Sequence, residues 1–203
     1  MRAPVKLYLA SSNPGKLAEF RALTCAVEPS ASIELELLPS FHLLPPFEEN
    51  EPTFAENAAG KALHYSRLRE GPVFADDSGL VVPALGGAPG VHSARYAGPT
   101  ATSAERISKL LRELTGKGGR ERRAYFVCAI AVAKHGRARA IVTDRVHGEI
   151  LEAPRGVGGF GYDPVFYFPP LHKTFAELSA QEKNEHSHRG KAFHKLLDFL
   201  QHP

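Results

Sequence analysis

The chain reads as an α/β protein built on a mixed β-sheet, and three features carry that reading. Its N-terminal half alternates strand-like apolar runs with amphipathic helical stretches, the pattern of strands connected through helices. Two long strand-like runs, Arg122–Ala133 and Ala138–Val146, are separated only by Lys134-His-Gly-Arg137, which reads as a hairpin turn and adds antiparallel pairing to the sheet. Between these regions lies Pro72-Val-Phe-Ala-Asp-Asp-Ser-Gly-Leu-Val-Val82, where a short buried strand (Val73, Phe74, Ala75) runs into Asp76 and Asp77. Ligands of open α/β sheets bind outside the carboxyl ends of strands. Two neighbouring aspartates there point to a divalent metal, or to carboxylates with separated pKa values. Asp-Asp-Ser-Gly is equally good turn chemistry, so the stretch alone leaves both readings open.

Taken in order, Val5–Ala10 is a strand, followed directly by Ser11-Ser-Asn-Pro-Gly-Lys16. Asn13 suits an N-cap and Pro14 the first helical position. Leu17, Phe20, Thr24 and Val27 continue at helical spacing, predicting a helix over residues 14–27. A strand, a polar loop and a helix N-terminus make an anion site, to which Lys16 adds a full charge. The Walker spacing is missing. Ile33–Leu38 is a second strand, and a proline-broken loop leads to Phe47-Glu-Glu-Asn-Glu-Pro52. Thr53-Phe-Ala-Glu56 is a capping box opening a helix that carries Phe54, Ala58, Ala62, Tyr65 and Leu68 and ends near Glu70. Glu48 and Glu49 complement that helix dipole, or one of them reaches a metal held by Asp77.

Leu80–Val82 extends the sheet, and Gly86-Gly-Ala-Pro-Gly90 makes a glycine-rich loop before Ser93-Ala-Arg-Tyr96. Thr102 or Ser103 opens a helix with Ile107, Leu110, Leu111 and Leu114, ended by Gly116-Lys-Gly-Gly119. Gly156-Val-Gly-Gly-Phe-Gly-Tyr-Asp-Pro164 sets flat rings beside exposed backbone, a combination suited to a nucleobase. It lacks the dinucleotide fingerprint, and glycine-rich turns between strands are common. The last helix carries Phe193, Leu196, Leu197 and Leu200, with Ser187 as N-cap and His188 and Arg189 in its first turn. Cations there oppose the helix dipole, which hints at a ligand. His186 and His188, two apart and without a cysteine nearby, are weak evidence for zinc.

At 203 residues the chain suits one large domain or two small lobes sharing a cleft, and 43% hydrophobic content supports a sizeable core. A net charge of +3 is mildly basic, and the charges are interspersed apart from Arg120-Glu-Arg-Arg123. A nucleic-acid module predicts a basic cluster, whereas this chain has an acidic centre. No run approaches the length of a membrane span. Cys25 and Cys128, without CxxC spacing and inside apolar stretches, read as small buried hydrophobes of a reducing, cytoplasmic protein.

Together, Ser11-Ser-Asn-Pro-Gly-Lys16, Glu49…Thr53-Phe-Ala-Glu-Asn57, Ala75-Asp-Asp-Ser-Gly-Leu80, Leu85-Gly-Gly-Ala-Pro-Gly90, Ser93-Ala-Arg-Tyr96, Gly158-Gly-Phe-Gly-Tyr-Asp-Pro164 and Glu182-Lys183…Ser187-His-Arg-Gly190 resemble the inosine/xanthosine triphosphate pyrophosphatase family. The resemblance covers essentially the whole chain, residues 1–203, as a single domain of two lobes. It implies an elongated, two-lobed α/β fold around a central mixed sheet with flanking helices, an active-site cleft between the lobes, and a homodimer. It also implies Mg²⁺-dependent hydrolysis of dITP, ITP and XTP to the monophosphate and pyrophosphate. By motif match, Asp77 and Lys16 serve catalysis; Glu49 and Asp77 hold the metal. Ser11, Ser12, Asn13, Pro14, Gly15, Lys16 and Ser78 touch the nucleotide. Phe160, Gly161, Tyr162, Asp163, Lys183, His188 and Arg189 lie on the base side. One departure is Glu51, followed by Pro52, where the family often has Gly; Glu48 and Glu51 therefore stand beside Glu49 as candidate ligands.

The chemistry agrees with the resemblance. Phosphoanhydride hydrolysis needs charge neutralisation, an in-line water and a proton acceptor. Mg²⁺ takes one or two protein carboxylates plus phosphate oxygens. Asp77 is expected to orient the nucleophile, with Asp76 supporting it. Lys183, His188 and Arg189 are donors that satisfy a purine 6-keto group and leave the 6-amino group of adenine unpaired, a penalty of roughly 1–3 kcal/mol. Guanine shares the keto group, so its rejection rests on its 2-amino group. A neighbouring alternative is a pyrimidine-directed pyrophosphatase of the Maf-like group, separable by substrate preference.

Overall fold

The computed structural model describes residues 5–11, 14–27 and 33–201. Seven strands form one mixed sheet: β1 (Val5–Leu9), β2 (Ile33–Leu37), β3 (Val73–Val81), β4 (Arg123–Lys134), β5 (Arg137–Ile150), β6 (Phe166–Phe168) and β7 (Lys173–Thr174), in the order β2-β1-β3-β4-β5-β6-β7. β1 pairs in parallel with β2 and β3, while β6 is antiparallel to β5 and β7. The helices are α1 (Pro14–Val27), α2 (Phe54–Ser66), α3 (Ser103–Glu113), α4 (Ala180–His186) and α5 (His188–Gln201). The chain divides into two compact units. One comprises Met1–Asp77, Cys128–Asp144 and Arg189–Pro203, the other Ser78–Val127 and Arg145–His188.

In the first unit the two-residue period of the strands sorts side chains onto two faces. Leu7, Leu9, Phe74, Cys128, Ile130 and Val132 face Leu17, Phe20 and Leu23 of α1 and Phe193, Leu196 and Leu197 of α5. The Phe20 ring meets Phe74 edge-on at 5.3 Å and Phe193 at 4.9 Å, locking both helices to the strand that carries the aspartates. Val73, Ala75, Ala129, Ala131 and Ala133 share the other cluster with Ala58, Ala62 and Tyr65 of α2. Small residues on both sides let α2 lie close to the sheet.

The second unit has its own core. Leu80 and Val82, Ala124 and Phe126, Val146 and Ile150 pack on Ile107 and Leu110 of α3, on Leu114 just after it, and on Tyr162, Phe166, Phe168 and Phe175. α3 starts at a complete capping box, Thr102 with Glu105. The Thr53 box is half made: Thr53 Oγ1 accepts from Glu56 N–H, but Glu56 takes the Thr53 hydroxyl proton (2.7 Å).

Several sequence expectations are met and several corrected. The hairpin turn is His135-Gly136, both with positive φ, as a two-residue turn requires. β3 does not stop at Ala75: it continues through Asp76, Asp77, Ser78 and Gly79 to Val81, so the aspartates lie mid-strand and not in a turn. α2 ends at Ser66, short of Glu70. The Ser66 hydroxyl donates to Leu63 O and accepts from Gly136 N–H, and Leu68 is left 42% exposed outside the apolar stripe. β5 runs beyond Val146 to Ile150 because its end pairs with β6. α4, β6 and β7 were not anticipated, although Ser179 and Glu182 form a full capping box for α4. Cys128 is buried as expected, but Cys25 is exposed, since α1 turns Leu17, Phe20, Leu23 and Thr24 inward. The expected N-cap, Asn13, lies outside the described residues.

Gly148 of β5 is a point of close approach. A Cβ there would collide with the Tyr167 carbonyl oxygen and sit 2.6 Å from the Phe166 ring. Gly148→Ala is expected to cost about 2 kcal/mol through forced displacement of β6. A urea melt will show it as a lower midpoint with unchanged slope.

Candidate active site

Mid-strand placement sends the two aspartates to opposite faces of the sheet. Asp76 points with Phe74 toward α1 and α5, and it is 2% exposed. Lys16, in the first turn of α1, donates from Nζ to Asp76 Oδ1 at 2.9 Å and to Oδ2 at 3.1 Å. Arg189, in the first turn of α5, donates from Nη2 to Asp76 Oδ2 at 3.5 Å and from Nη1 to Glu19 Oε2 at 2.7 Å. Burial alone would raise the Asp76 pKa; Lys16 and Arg189 outweigh it and hold the carboxyl well below the usual range. Asp76 therefore fixes Lys16 and Arg189, and does not support Asp77 as the sequence reading expected.

Asp77 points with Ala75 toward α2. Asn57, fully buried on that helix, donates from Nδ2 to Asp77 Oδ2 at 3.0 Å and to Glu51 O at 3.3 Å, and its Oδ1 accepts from Glu51 N–H at 3.0 Å. One amide thus ties the acidic loop to the strand. Lys61, one turn further along α2, pairs with Glu49 Oε1 at 2.6 Å. Burial raises the Asp77 pKa, the Glu49 charge raises it further, and the Asn57 hydrogen bond only partly opposes them; the result is about 6. Burial also works against the Lys61 charge, but Glu49 more than offsets it and its pKa is raised. Glu48 is exposed and accepts from Asn50 at 2.9 Å, and Glu51 contributes backbone atoms here. Among the three candidate acids, Glu49 is the one whose charge acts on Asp77.

The Glu49–Asp77 pair suits a cation: the Glu49 charge raises the cost of ionising Asp77, and a divalent ion would relieve it. Among the described residues no cluster of three or more His, Cys, Asp or Glu side chains could hold a metal. A two-carboxylate site is the mode in which Mg²⁺ is held when phosphates supply further oxygens.

The second unit holds the glycine-rich turn. Phe160 N–H donates to Asp163 Oδ2 at 2.8 Å, and Lys183 Nζ donates to the same oxygen at 2.6 Å while lying 4.6 Å from the Phe160 ring centre. Gly159 has φ +70°, and a Cβ there would collide with Asp163 Oδ2, so the closed turn needs glycine. Phe160 is 56% exposed, a flat face open to a ligand. Tyr162 differs from the expectation: its ring is buried in the core and its hydroxyl donates to Ser93 O at 3.0 Å. Its polar end is spent anchoring the turn. His188 is buried and stacked on Phe126. Ser78 is half-buried in β3 and opens this unit.

Of the remaining expected residues, Ser11 is buried at the end of β1, with its N–H donating to Leu9 O at 2.9 Å. Pro14 and Gly15 open α1. Ser12 and Asn13 lie outside the described residues. Arg189, expected beside the base, has its guanidinium between Asp76 and Glu19, in one network with Lys16. The sequence reading missed Asn57, Lys61 and Glu19 as site residues. A signal existed for two of them: Asn57 and Lys61 fall at helical spacing from Phe54, Ala58 and Ala62, inside an otherwise apolar stripe.

The fold and these clusters define a class: a mixed-sheet α/β protein with a buried lysine–arginine ion-pair network and an acidic cluster on opposite faces of one strand, a combination suited to a metal-chelated phosphate. The chain belongs to the Ham1 family, whose model matches residues 7–199. The dITP/XTP pyrophosphatase of Geobacillus kaustophilus is 53% identical over 191 residues, spanning 94% of this chain and 92% of its own. That of Ralstonia nicotianae is 47% identical over 202 residues, 96% of each chain. The structure of a HAM1 protein from Coxiella burnetii aligns with TM-score 0.87 and 43% identity, over 98% of this chain and 100% of that one.

A carboxyl with folded pKa near 6 and an unfolded value near 4 contributes most to stability below about pH 4 and loses that contribution as pH rises through 6. Asp77→Asn removes the effect. In EDTA, the variant is expected to exceed the wild-type protein by on the order of 2 kcal/mol at pH 7.5, with the gap closing toward pH 4. Thermal melts across that range measure it.

Proposed function

We propose that the chain is a Mg²⁺-dependent nucleoside triphosphate pyrophosphatase that hydrolyses deaminated purine nucleotides, dITP, ITP and XTP, to the monophosphate and pyrophosphate. Whole-chain relatedness to dITP/XTP pyrophosphatases is the observation that carries the reading. The paired clusters around β3 supply chemistry that fits it. The family match draws on both units, so we treat residues 1–203 as one functional domain. We take the active species to be a cytoplasmic homodimer, as the family resemblance implies. Among the described residues no helix is long and apolar enough to cross a membrane.

Each group has a distinct task in this mechanism. Lys16, held in place by Asp76, binds phosphate oxygens together with the start of α1. Glu49 and Asp77 would hold Mg²⁺, which when bound would neutralise phosphate charge and lower the pKa of water. Asp77, kept in orientation by Asn57, positions the nucleophilic water and takes its proton at Oδ. Lys61 holds Glu49 in place before the ion arrives. On the base side, Phe160 offers a stacking face, and Lys183 and His188 offer donors to a 6-keto oxygen.

Pyrophosphate release measured with Mg²⁺ over dITP, XTP, dATP, dGTP and dUTP, with and without EDTA, tests the reading. Fast, chelator-sensitive turnover of dITP and XTP is expected, with the other three slow. Preferred turnover of dUTP or modified pyrimidines would instead place the chain with pyrimidine-directed enzymes. Asp77→Asn is expected to lower kcat about 10³-fold with unchanged circular dichroism, and near wild-type turnover would refute its assignment. Lys16→Met is expected to lower kcat/KM about 10²-fold.

A further inference from the structure

The second unit contains an aromatic array that the mechanism above leaves unused. Phe126, on β4, is 6% exposed, and its ring lies 4.7 Å from the His188 imidazole with only 9° between the planes. It is also nearly parallel to Phe175, at 5.8 Å and 13°, and Phe166 packs against it at 4.6 Å and 54°. Phe166 in turn meets Phe175 edge-on at 4.8 Å. Phe126 is therefore held by rings from β6 and from the segment after β7, and its plane is set by the core and not by its own rotamer.

This matters because the plane of a histidine is the least determined part of the side chain. Rotation about χ2, an sp³–sp² bond, is broad and roughly two-fold, so the backbone of α5 places the ring without deciding its tilt. An imidazole N–H donates only in the ring plane, and a carbonyl oxygen accepts best near its own plane. A donor that must meet a 6-keto oxygen in the plane of a purine needs that tilt fixed before the base arrives. A ring left to rotate loses its alignment to the keto oxygen, whereas a 6-amino group, itself a donor, gains nothing from an N–H at any tilt. A flat, buried neighbour removes that freedom.

We propose that Phe126 is a positioning residue for purine selection: by stacking flat on His188, it fixes the plane in which the imidazole donates to the base. The inference rests on the reading of the protein as a deaminated-purine pyrophosphatase. It assigns to a hydrophobic core residue, with no polar atom to offer, part of the discrimination between keto and amino purines.

Phe126→Leu keeps the site apolar and removes the ring. It is expected to raise KM for dITP about tenfold with kcat within threefold, and to lower the dITP-to-dATP ratio of kcat/KM about tenfold. Leu110→Ala is the control: it opens the same core cluster without removing the ring stacked on His188. It is expected to lower the melting temperature comparably and leave KM and the ratio within twofold. Phe126→Met, longer and more adaptable in packing, gives the same loss as the leucine variant and replaces it should that variant not fold. In proton NMR, the His188 ring signals of the wild-type protein are displaced upfield by the Phe126 ring current, and the displacement disappears in either variant. In a His188→Ala background, Phe126→Leu adds no further loss of selectivity.

An unchanged KM and substrate ratio in Phe126→Leu, equal changes in Leu110→Ala, or full additivity with His188→Ala would each overturn the inference. Wild-type protein that fails to hydrolyse dITP would sink the functional reading itself. Wild-type turnover with an indifferent Phe126 variant would sink this inference alone.

Discussion

Strand β3 stays extended through two consecutive aspartates, and the pleat sends Asp76 and Asp77 to opposite faces of the sheet. The organisation of the first unit follows from that geometry. A carboxylate buried to 2% exposure on a face otherwise packed with leucine and phenylalanine is tolerated only with cations beside it. Lys16 and Arg189 supply them, each from the first turn of its helix. The starts of α1 and α5 are thus pinned to the strand electrostatically, while Phe20 and Phe193 pin their bodies by packing.

The opposite face obeys a different balance. Asp77 accepts its hydrogen bond from the neutral amide of Asn57, and it shares its surroundings with Glu49. One aspartate is consequently a firmly ionised anchor, and its neighbour a carboxyl whose charge is costly to form. Adjacent residues of the same type acquire opposite roles because their environments differ, as is general for paired acids in enzymes. The alanines under α2 contribute indirectly: they bring the helix close enough for Asn57 and Lys61 to reach the strand and the acidic loop.

In the second unit, aromatic packing does the work that ion pairs do in the first. Asp163 and Lys183 close the glycine turn, Tyr162 anchors it to Ser93, and Phe160 is left exposed. The cluster of Phe126, Phe166 and Phe175 reaches His188 at its edge, so the core and the start of α5 are continuous. Replacing a ring in this cluster changes more than stability, because the same contact carries orientation.

What the sequence determined by itself was local or ordered along the chain. Thr53 and Thr102 marked helix starts, since a capping oxygen and its N–H target are three residues apart. His135-Gly136 marked the hairpin, because two consecutive positive φ values favour such a pair. Motif order along the whole chain pointed to the family, and with it to Asp77, Lys16 and Glu49. Tertiary structure decided which way those groups face. Asp-Asp-Ser-Gly is a good turn in isolation, and only pairing within the sheet holds it extended. Asp76 meets Lys16 across 60 residues and Arg189 across 113, separations that no local pattern encodes. The inward Tyr162 hydroxyl, the buried Asn57 and the flat stack on His188 share that origin. Each is set by what the folded core brings beside it, and side-chain type alone leaves its direction open.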